Sequence, residues 1–180
     1  MKSLHEQNIL MIARTMGLGG TENVVLQLCE ILSGKVNKIL VCSSGGVHEK
    51  KLQEMGIKHY VMPDIASKNP MDMLKSYRLI KSIINKEKIT IVHSHHRMAA
   101  FYAELATPKK VVKVANAHNT FIDKKKLTQL AYRDTKVVAV GEIVKKNLIE
   151  YFEISKEQVC VIHNAVKSFD GNIVPIEALY

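Results

Sequence analysis

The chain has 180 residues, 47% of them hydrophobic, which is enough for one domain with a sizeable core and excludes a disordered or disulfide-stapled chain. No apolar run approaches the roughly 20 residues of a membrane-spanning helix, and the first residues lack the apolar core of a signal peptide. The net charge of +9 favours acidic lipids or phosphorylated substrates as partners. Nucleic acid is not expected, because aromatic residues make up only 6% and no nucleic-acid-binding motif occurs.

Short apolar runs rich in Val and Ile alternate with segments of helical periodicity along the chain. Strands are predicted at 8–13, 37–42, 57–62, 89–93, 111–115, 136–140 and 158–162. Helices are predicted at 24–32, 47–55, 70–88, 98–105, 127–133 and 142–152. This alternation predicts an α/β fold, a doubly wound and mainly parallel sheet of about seven strands, over residues 1–166. Residues 167–180 are predicted to form a linker or tail.

Several side chains within these elements carry their own expectations. Thr21 is expected to cap the first helix, and Leu74 to lie on the apolar face of the long helix at 70–88. Three cysteines lie far apart in apolar segments and are expected to be buried free thiols of a reducing compartment: Cys29, Cys42 and Cys160.

Basic residues form two groups. One is a stripe on the polar face of the long helix, made of Lys75, Arg78, Lys81 and Lys88. The other is the lysine run at 124–126. A charge run is often only a solvated face, but the two groups together favour contact with an anionic membrane surface, where each basic residue contributes about 1 kcal/mol.

A glycine-rich turn, GLGG at 17–20, follows the first strand and precedes a helix. Backbone amides in such a turn, together with the N-terminus of the helix, suit an anion. The dinucleotide fingerprint GxGxxG would need a third glycine where Glu22 stands, and no P-loop pattern occurs. The turn therefore predicts either an anion site or a plain tight turn.

Two further polar motifs follow the fourth and fifth strands. His93 and His95 lie on one side of a strand, and such a pair is able to ligate zinc. No carboxylate at a recognisable spacing completes a zinc site, so a polar rim beside a phosphate pocket is favoured, with His93 packed structurally. His118 stands between Asn116 and Asn119, an arrangement suited to bonding a sugar hydroxyl or a phosphate oxygen; a structural histidine is the alternative.

Taken in order, four segments resemble the N-terminal half of GT-B glycosyltransferases of the retaining family 4 kind. They are GGTE at 19–22, IVHSH at 91–95, AHN at 117–119, and the pair VAVGE at 138–142 with VCVIHNAV at 159–166. The likeness spans nearly the whole chain. Four residues depart from the family's usual Asp, Ser, Pro and Gly, and these are Thr90, Gly141, His163 and Ala165.

The resemblance implies a role for particular residues of these segments. His118 would be catalytic and would bond the transferring sugar near the reaction centre. The donor phosphates would be bound by Gly19, Gly20 and Thr21. The acceptor side would be lined by Glu22, His95, Arg97 and Asn119. The resemblance implies no cofactor and no metal, with a nucleotide-diphosphate sugar as co-substrate.

The implied function is the acceptor-binding half of a glycosyltransferase of the hexosyltransferase type. It would move a sugar from a nucleotide-sugar to a hydroxyl acceptor, sugar or lipid-linked, with retention, in polysaccharide or glycolipid synthesis. The family's donor-binding domain, with its E-x7-E motif, has no counterpart in this sequence, so the chain is expected to be inactive alone. It is expected to be cytoplasmic, peripheral at the inner face of the plasma membrane. The alternatives are a non-catalytic module that binds an anionic ligand and half of a GT-B-fold sugar-nucleotide epimerase.

Overall fold

Strands and helices alternate throughout the computed structural model, which describes residues 3–165. The strands are β1 (Asn8–Ile12), β2 (Lys38–Ser43), β3 (Lys58–Val61), β4 (Ile91–Ser94), β5 (Val112–Ala117), β6 (Lys136–Ala139) and β7 (Val159–Val161). The helices are α1 (Gly20–Leu32), α2 (Glu49–Glu54), α3 (Pro70–Lys86), α4 (Arg97–Ala106), α5 (Lys125–Ala131) and α6 (Glu142–Lys146). The linker or tail predicted at 167–180 lies outside the described residues.

The seven strands form one sheet in the order β3-β2-β1-β4-β5-β6-β7, and every neighbouring pair is parallel. The predicted doubly wound α/β sheet is therefore confirmed. Because all strands run in one direction, their carboxyl ends share one edge of the sheet, which we call the carboxyl edge, and their amino ends share the opposite amino edge. The strand order reverses between β1 and β4, where such sheets leave a crevice for a ligand.

Both faces of the sheet are covered, which explains why the strands are continuously apolar rather than alternating. On one face Leu10 and Val92 pack in a buried cluster with residues of α3 and α4. On the other face Met11 and Val41 pack with residues of α1 and α2. A third buried cluster joins α5 and α6 to β6 and β7 around Phe152. None of the helices within residues 3–165 has both the length and the apolar character required to cross a membrane.

The first helix corrects two predictions. It begins at Gly20 rather than at 24, and its N-cap is Gly19 in an extended conformation, so Thr21 lies inside the first turn and does not cap it. Apolar periodicity marks only the part of a helix that packs on the core. The first turn of α1 extends past that core at the carboxyl edge of the sheet, which explains why its residues are polar.

Two apolar side chains are more exposed than predicted. Leu74 is 40% exposed because it lies about a third of a turn from Ile80, which faces the core. Cys160 is exposed because β7 is an edge strand, whereas Cys29 and Cys42 are buried as expected. Burial raises the pKa of the Cys29 and Cys42 thiols to about 12, so both are protonated and unreactive.

The ends of several elements also differ from the predictions by a few residues. The long helix ends at Lys86, so Lys88 lies beyond the basic stripe of α3. The helix predicted at 142–152 changes after Lys146 into a π-helical turn at Asn147–Tyr151. Asn147 uses both ends of its side-chain amide there, accepting from the backbone nitrogen of Phe121 (3.0 Å) and donating to the carbonyl oxygen of Phe121 (2.9 Å).

A buried ion-pair cluster ties α4 to β5 and to the end of α5. Glu104 in α4 bonds the buried ammonium of Lys113 in β5, and its other oxygen accepts from Arg133 Nη2 at 2.7 Å. Both Glu104 and Lys113 are buried, so water stabilises neither charge and each depends on the other. Removing one member therefore leaves an uncompensated charge in the protein interior.

We expect Glu104→Gln to lower the free energy of unfolding by about 3–5 kcal/mol, because Lys113 is then buried without a counter-charge. Urea denaturation of the 180-residue chain measures this change. The matched control replaces both Glu104 and Lys113 by Met, which removes both charges and should cost much less. Equal stability of Glu104→Gln and the unaltered chain would show that Lys113 reaches solvent.

Candidate active site

A cleft of about 140 Å³ opens at the carboxyl edge, beside the reversal of strand order between β1 and β4. Its walls come from the segments that follow β1, β4 and β5. Among the residues predicted for the site, those that line it are Thr21, Glu22, His95, Arg97, His118 and Asn119. Gly19 and Gly20 lie immediately before Thr21, at the start of α1. The structure therefore gathers residues from three separate stretches of sequence in one place.

The β1–α1 turn is fixed from below by the loop after β2. The backbone nitrogen of Met16 donates to Gly45 O (2.8 Å), and the nitrogen of His48 donates to Met16 O (2.9 Å). Gly46 has a φ of +149°, and a Cβ there would lie 2.4 Å from the carbonyl carbon of Met16. The backbone of the β1–α1 turn and that of the loop after β2 approach so closely that only glycine fits at position 46. This contact holds the turn that leads to Gly19 and Gly20.

Glu22 folds back over the start of α1. Its Oε1 accepts a hydrogen bond from Thr15 Oγ1 (2.5 Å), and a Cβ built on Gly19 would lie 2.4 Å from its Oε2. A carboxylate near a helix N-terminus is stabilised by the helix dipole. By contrast, a Cβ on Gly20 would meet no atom within 4 Å. A side chain at position 19 would displace the Glu22 carboxylate from this place, whereas the space at Gly20 is open.

Three histidine rings form a row behind the cleft. The ring centroids of His93 and His95 are 4.4 Å apart, and those of His95 and His118 are 5.8 Å apart. His93 Nε2 donates to Asn116 Oδ1 (2.9 Å), which is the structural role expected for His93. His95 is fully buried, and neither of its ring nitrogens has a hydrogen-bond partner within residues 3–165. Nε2 of His118 is also buried and unpartnered in this part of the chain.

Burial keeps the row uncharged. It lowers the pKa of His93, His95 and His118, and it lowers that of His95 furthest. Mutual repulsion between protonated rings lowers the pKa of His95 and His118 further. A neutral imidazole carries one N–H donor and one acceptor nitrogen. The row therefore presents hydrogen-bonding groups without adding positive charge to the cleft.

The two ring nitrogens of His96 have different roles. Its Nδ1 accepts from the backbone nitrogen of Met98 (3.1 Å) and so caps α4. The proton of the neutral ring is therefore on Nε2. Burial lowers the pKa of His96, and the positive charges of Arg14 and Arg97 lower it further. His96 lines the cleft and adds another neutral donor to it.

The two arginines of the cleft are both paired with aspartates. Arg97 is buried, donates to Asp123 Oδ1 (2.8 Å), and stacks its guanidinium 4.2 Å from the ring centroid of Phe121. Arg14 bonds both carboxylate oxygens of Asp64, at 3.0 and 2.8 Å. These bonds hold the pKa of Asp64 and Asp123 below the usual range. The cationic charge of the cleft is therefore largely neutralised at its rim.

Sequence reasoning did not assign a role to several lining residues, namely Arg14, His96, Asn116, Ala117, Phe121 and Tyr132. Asn116 stands beside His118 in a motif that was singled out, His96 directly follows the HxH pair, and Arg14 follows β1, so their positions offered a signal. Phe121 and Tyr132 lie in the loop after β5 and at the end of α5, and no local pattern marks them. Within residues 3–165, no three His, Cys, Asp or Glu side chains come together as metal ligands, and the HxH pair is used in the row described above.

The histidine row predicts an acid-sensitive fold. Unfolded chains protonate His95 near its ordinary pKa of 6.5, whereas the folded chain does not, so stability is complete above about pH 6.5 and falls as the pH decreases below it. We expect this loss, of up to about 1.4 kcal/mol per pH unit, to be smaller in His95→Phe. Urea denaturation at about pH 7.5 and about pH 5.5, on either side of that pKa, compares the two chains. Equal pH dependence would contradict a buried neutral His95.

Comparison with known proteins supplies relatives for this site. One component of human phosphatidylinositol N-acetylglucosaminyltransferase is 25% identical over 169 residues, which is 85% of this chain and 35% of that protein. A glycosyltransferase from Rickettsia africae has a TM-score of 0.72 and 25% identity, over 89% of this chain and 44% of that one. HepE from Anabaena, solved with UDP and glucose, has a TM-score of 0.70 and 16% identity, over 89% and 45%.

The chain thus spans less than half the length of each of these relatives. The similarity to HepE shows a shared fold. Residues 18–168 match the family Glycosyltransferase Family 4, a match that includes Gly19 and Gly20, the histidine row and the last strand. The chain belongs to glycosyltransferase family 4, and its parallel sheet is the N-terminal domain of the GT-B fold.

Proposed function

We propose that this chain is the acceptor-binding half of a retaining glycosyltransferase that uses a nucleotide-sugar donor. The observation that carries the proposal is the gathering of Glu22, His95, His118 and Asn119 in one cleft where the strand order reverses. Hydrogen-bonding groups of this kind suit a polyhydroxylated substrate. The greater length of the relatives supports a second domain in the intact enzyme. We propose that it faces this cleft, so the chain alone is expected to be inactive.

The donor phosphates are proposed to lie against the start of α1. The first-turn amides of Gly20 and Thr21 have no acceptor within their own helix, because an α-helix leaves its first N–H groups unpaired. The open space at Gly20 allows a ligand to approach the backbone closely. A diphosphate there would gain from the helix dipole as negative charge develops on it. The UDP bound by HepE supports a uridine nucleotide as the first donor to test.

His118 is proposed to bond the transferring sugar. In the reaction, the bond between the anomeric carbon and the donor phosphate breaks, and the leaving diphosphate keeps the electron pair. The acceptor hydroxyl oxygen bonds the anomeric carbon on the same face, and its proton passes to a phosphate oxygen. A neutral His118 holds a sugar hydroxyl by its N–H without repelling the developing oxocarbenium charge. Glu22 and Asn119 are proposed to orient the acceptor, and the proposed reaction uses no metal or cofactor.

A glycolipid or a polysaccharide is the proposed product, formed at the cytoplasmic face of a membrane. The name of the human relative supports a phosphatidylinositol-type acceptor. The loop after β5 carries Ile122, which is 84% exposed, followed by the lysine run at 124–126. An exposed aliphatic side chain beside lysines suits the surface of an anionic bilayer. The family match favours transfer over epimerisation.

The catalytic role is tested with the full-length product of the reading frame that encodes this chain, screened against a panel of nucleotide sugars. We expect His118→Ala to lower transfer about 100-fold, because a preorganised hydrogen-bond donor is lost. The matched control is His5→Ala, an exposed histidine in the Leu4–Glu6 turn. Unchanged turnover in a folded His118→Ala protein rejects the role of His118.

No turnover of any donor by the unaltered full-length protein would overturn the enzyme proposal in favour of a binding module.

Membrane contact is tested by sedimentation of the 180-residue chain with vesicles. Binding to vesicles containing phosphatidylserine should weaken with added salt, since surface charges are screened. Replacing Lys124, Lys125 and Lys126 by Gln should weaken it by about 1 kcal/mol per lysine. The control places the same three replacements at Lys35, Lys50 and Lys51, in and beside α1 and α2. Equal binding to neutral vesicles would remove the electrostatic basis of the proposal.

A further inference from the structure

A second and larger concavity lies at the amino edge of the sheet, opposite the cleft. This amino-edge groove has a volume of about 790 Å³, against about 140 Å³ for the cleft. It runs between the end of α3, the first residues of β4 and β5, and the loop between α4 and β5. Its volume is within the range of about 300–1,000 Å³ that is usual for small-molecule sites.

The groove combines apolar walls with a cationic mouth. Its apolar lining consists of Leu4, Ile84, Ile89, Ile91, Pro108, Val111 and Val112. Its charged lining consists of Lys88 and Lys110, and both lysines are exposed. No acidic side chain is among the lining residues in the described part of the chain. The carboxylate of Glu6, in the neighbouring helical turn, is bonded to Ser3, and that of Glu87 is bonded to Lys38 and Lys58.

The apolar surface grades from deep to shallow. Ile84, Ile89 and Val111 are buried and form the inner wall, whereas Leu4 and Val112 are each about half exposed at the rim. An apolar molecule in the groove would contact the small exposed part of this inner wall and would cover the side chains of Leu4 and Val112, which face water. Removal of that apolar surface from water is the expected driving force for binding.

Hydrogen bonds hold the walls in place. The side-chain nitrogen of Asn8 donates to the carbonyl oxygens of Glu87 (3.1 Å) and Lys88 (2.9 Å), which fixes the turn between α3 and β4. Thr90 Oγ1 donates to Gln7 Oε1 (2.7 Å), which ties that turn to the segment before β1. Lys88 has a φ of +51°, the left-handed conformation of a helix end. The groove is therefore formed before any ligand enters it.

We propose that the amino-edge groove binds the anion of a long-chain fatty acid. The hydrocarbon chain lies along Ile84, Ile89 and Val111, and the carboxylate lies at the mouth between Lys88 and Lys110. Two ammonium groups without a lining carboxylate favour an anionic head over a neutral or cationic one. Seven of the twelve lining residues are apolar, two are lysines, and the other three are the uncharged polar residues Gln7, Asn85 and Thr90. This mainly apolar and partly cationic lining matches a single-chain anionic amphiphile better than a compact polar metabolite.

This site is independent of the proposed glycosyltransferase function. The sheet separates the two concavities, because the groove is at the amino ends of β4 and β5 and the cleft is at the carboxyl ends of β1, β4 and β5. A fatty acid in the groove would not occupy the place of a nucleotide or an acceptor. Saturating UDP should therefore leave the affinity for a fatty acid unchanged.

The test is titration calorimetry of the 180-residue chain with laurate, myristate and palmitate, each below its micellar concentration. We expect one site per chain and an affinity that rises about fourfold per added methylene group. Dodecyltrimethylammonium, with the same chain length as laurate and the opposite charge, should bind more weakly than laurate. Absence of binding, or equal binding of the two head groups, overturns the proposal.

Variants of the lining residues test whether the ligand binds in the groove. Lys110→Glu should lower the affinity for myristate about fivefold or more. Lys109→Glu makes the same charge change at an exposed neighbour that does not line the groove, and it should change the affinity less than about twofold. Val112→Trp fills the rim and should abolish binding, with circular dichroism confirming the fold. Equal effects of Lys109→Glu and Lys110→Glu overturn the placement.

The other occupants of such a groove give distinct results. Binding of phosphatidylserine vesicles that Lys110→Glu abolishes, without binding of monomeric myristate, identifies a membrane surface and overturns the proposal. A dimer in sedimentation equilibrium that Val112→Trp dissociates identifies a second copy of this chain and also overturns it.

Discussion

The pairing of β1 with β4 is the constraint on which the rest of the molecule depends. These strands are distant in the chain, yet they pair in register from Ile9 with Ile91 to Ile12 with Ser94. Chain connections leave this pair in opposite directions, to β2 on one side and to β5 on the other. The loops after β1 and β4 therefore separate above the sheet, and the cleft opens between them. Every residue assigned to the site depends on that separation.

Charge in the cleft follows from burial rather than from composition. The chain carries a net charge of +9, yet the cleft combines neutral imidazoles with two arginines that are each bonded to an aspartate. Protonation of His95 would place a charge with no hydrogen-bond partner among the described residues in the protein interior, which explains why its pKa is held low. The cleft therefore suits hydroxyl groups, and an anion is better served by the start of α1, where backbone amides are available.

The sheet could be predicted from the sequence, because the local apolar pattern of each strand agrees with its place in the fold. Each strand is a continuous apolar run, as parallel strands covered on both faces require, and all seven were predicted. The ends of elements were harder to predict. The first turn of α1 extends past the core, so its residues are polar and the apolar periodicity does not mark it. The exposure of Leu74 and Cys160 was missed since it depends on which face or edge the finished sheet leaves uncovered, a property of the whole fold.

The site was predictable in part for the same reason. Residues that directly follow strands, such as His95 and His118, meet at the carboxyl edge because parallel strands bring their ends together. The hydrogen-bond partners of those residues were not predictable from the sequence. That His93 is held by Asn116, whereas His95 has no hydrogen-bond partner within the described chain, depends on the placement of side chains that are distant in the sequence. Likewise, nothing local indicates that Arg97 is paired with Asp123 across the loop after β5.

The exposed basic groups of the protein lie outside the cleft, and their arrangement determines which anionic partners can contact several of them together. Exposed cationic groups lie on the outer face of α3, at Lys124 and Lys126 of the lysine run, and at the mouth of the amino-edge groove. Lys125, in the middle of the run, is half-buried and paired with Glu153. The helices that carry the first two groups lie on the same side of the sheet, since α3 packs on α4 and α4 packs on α5. An extended anionic surface would contact them together, whereas a small soluble anion would contact one at a time. Because the cleft is nearly neutral, we propose that its selectivity comes from hydrogen bonds to hydroxyl groups and that the basic surface attracts the membrane or lipid that presents them.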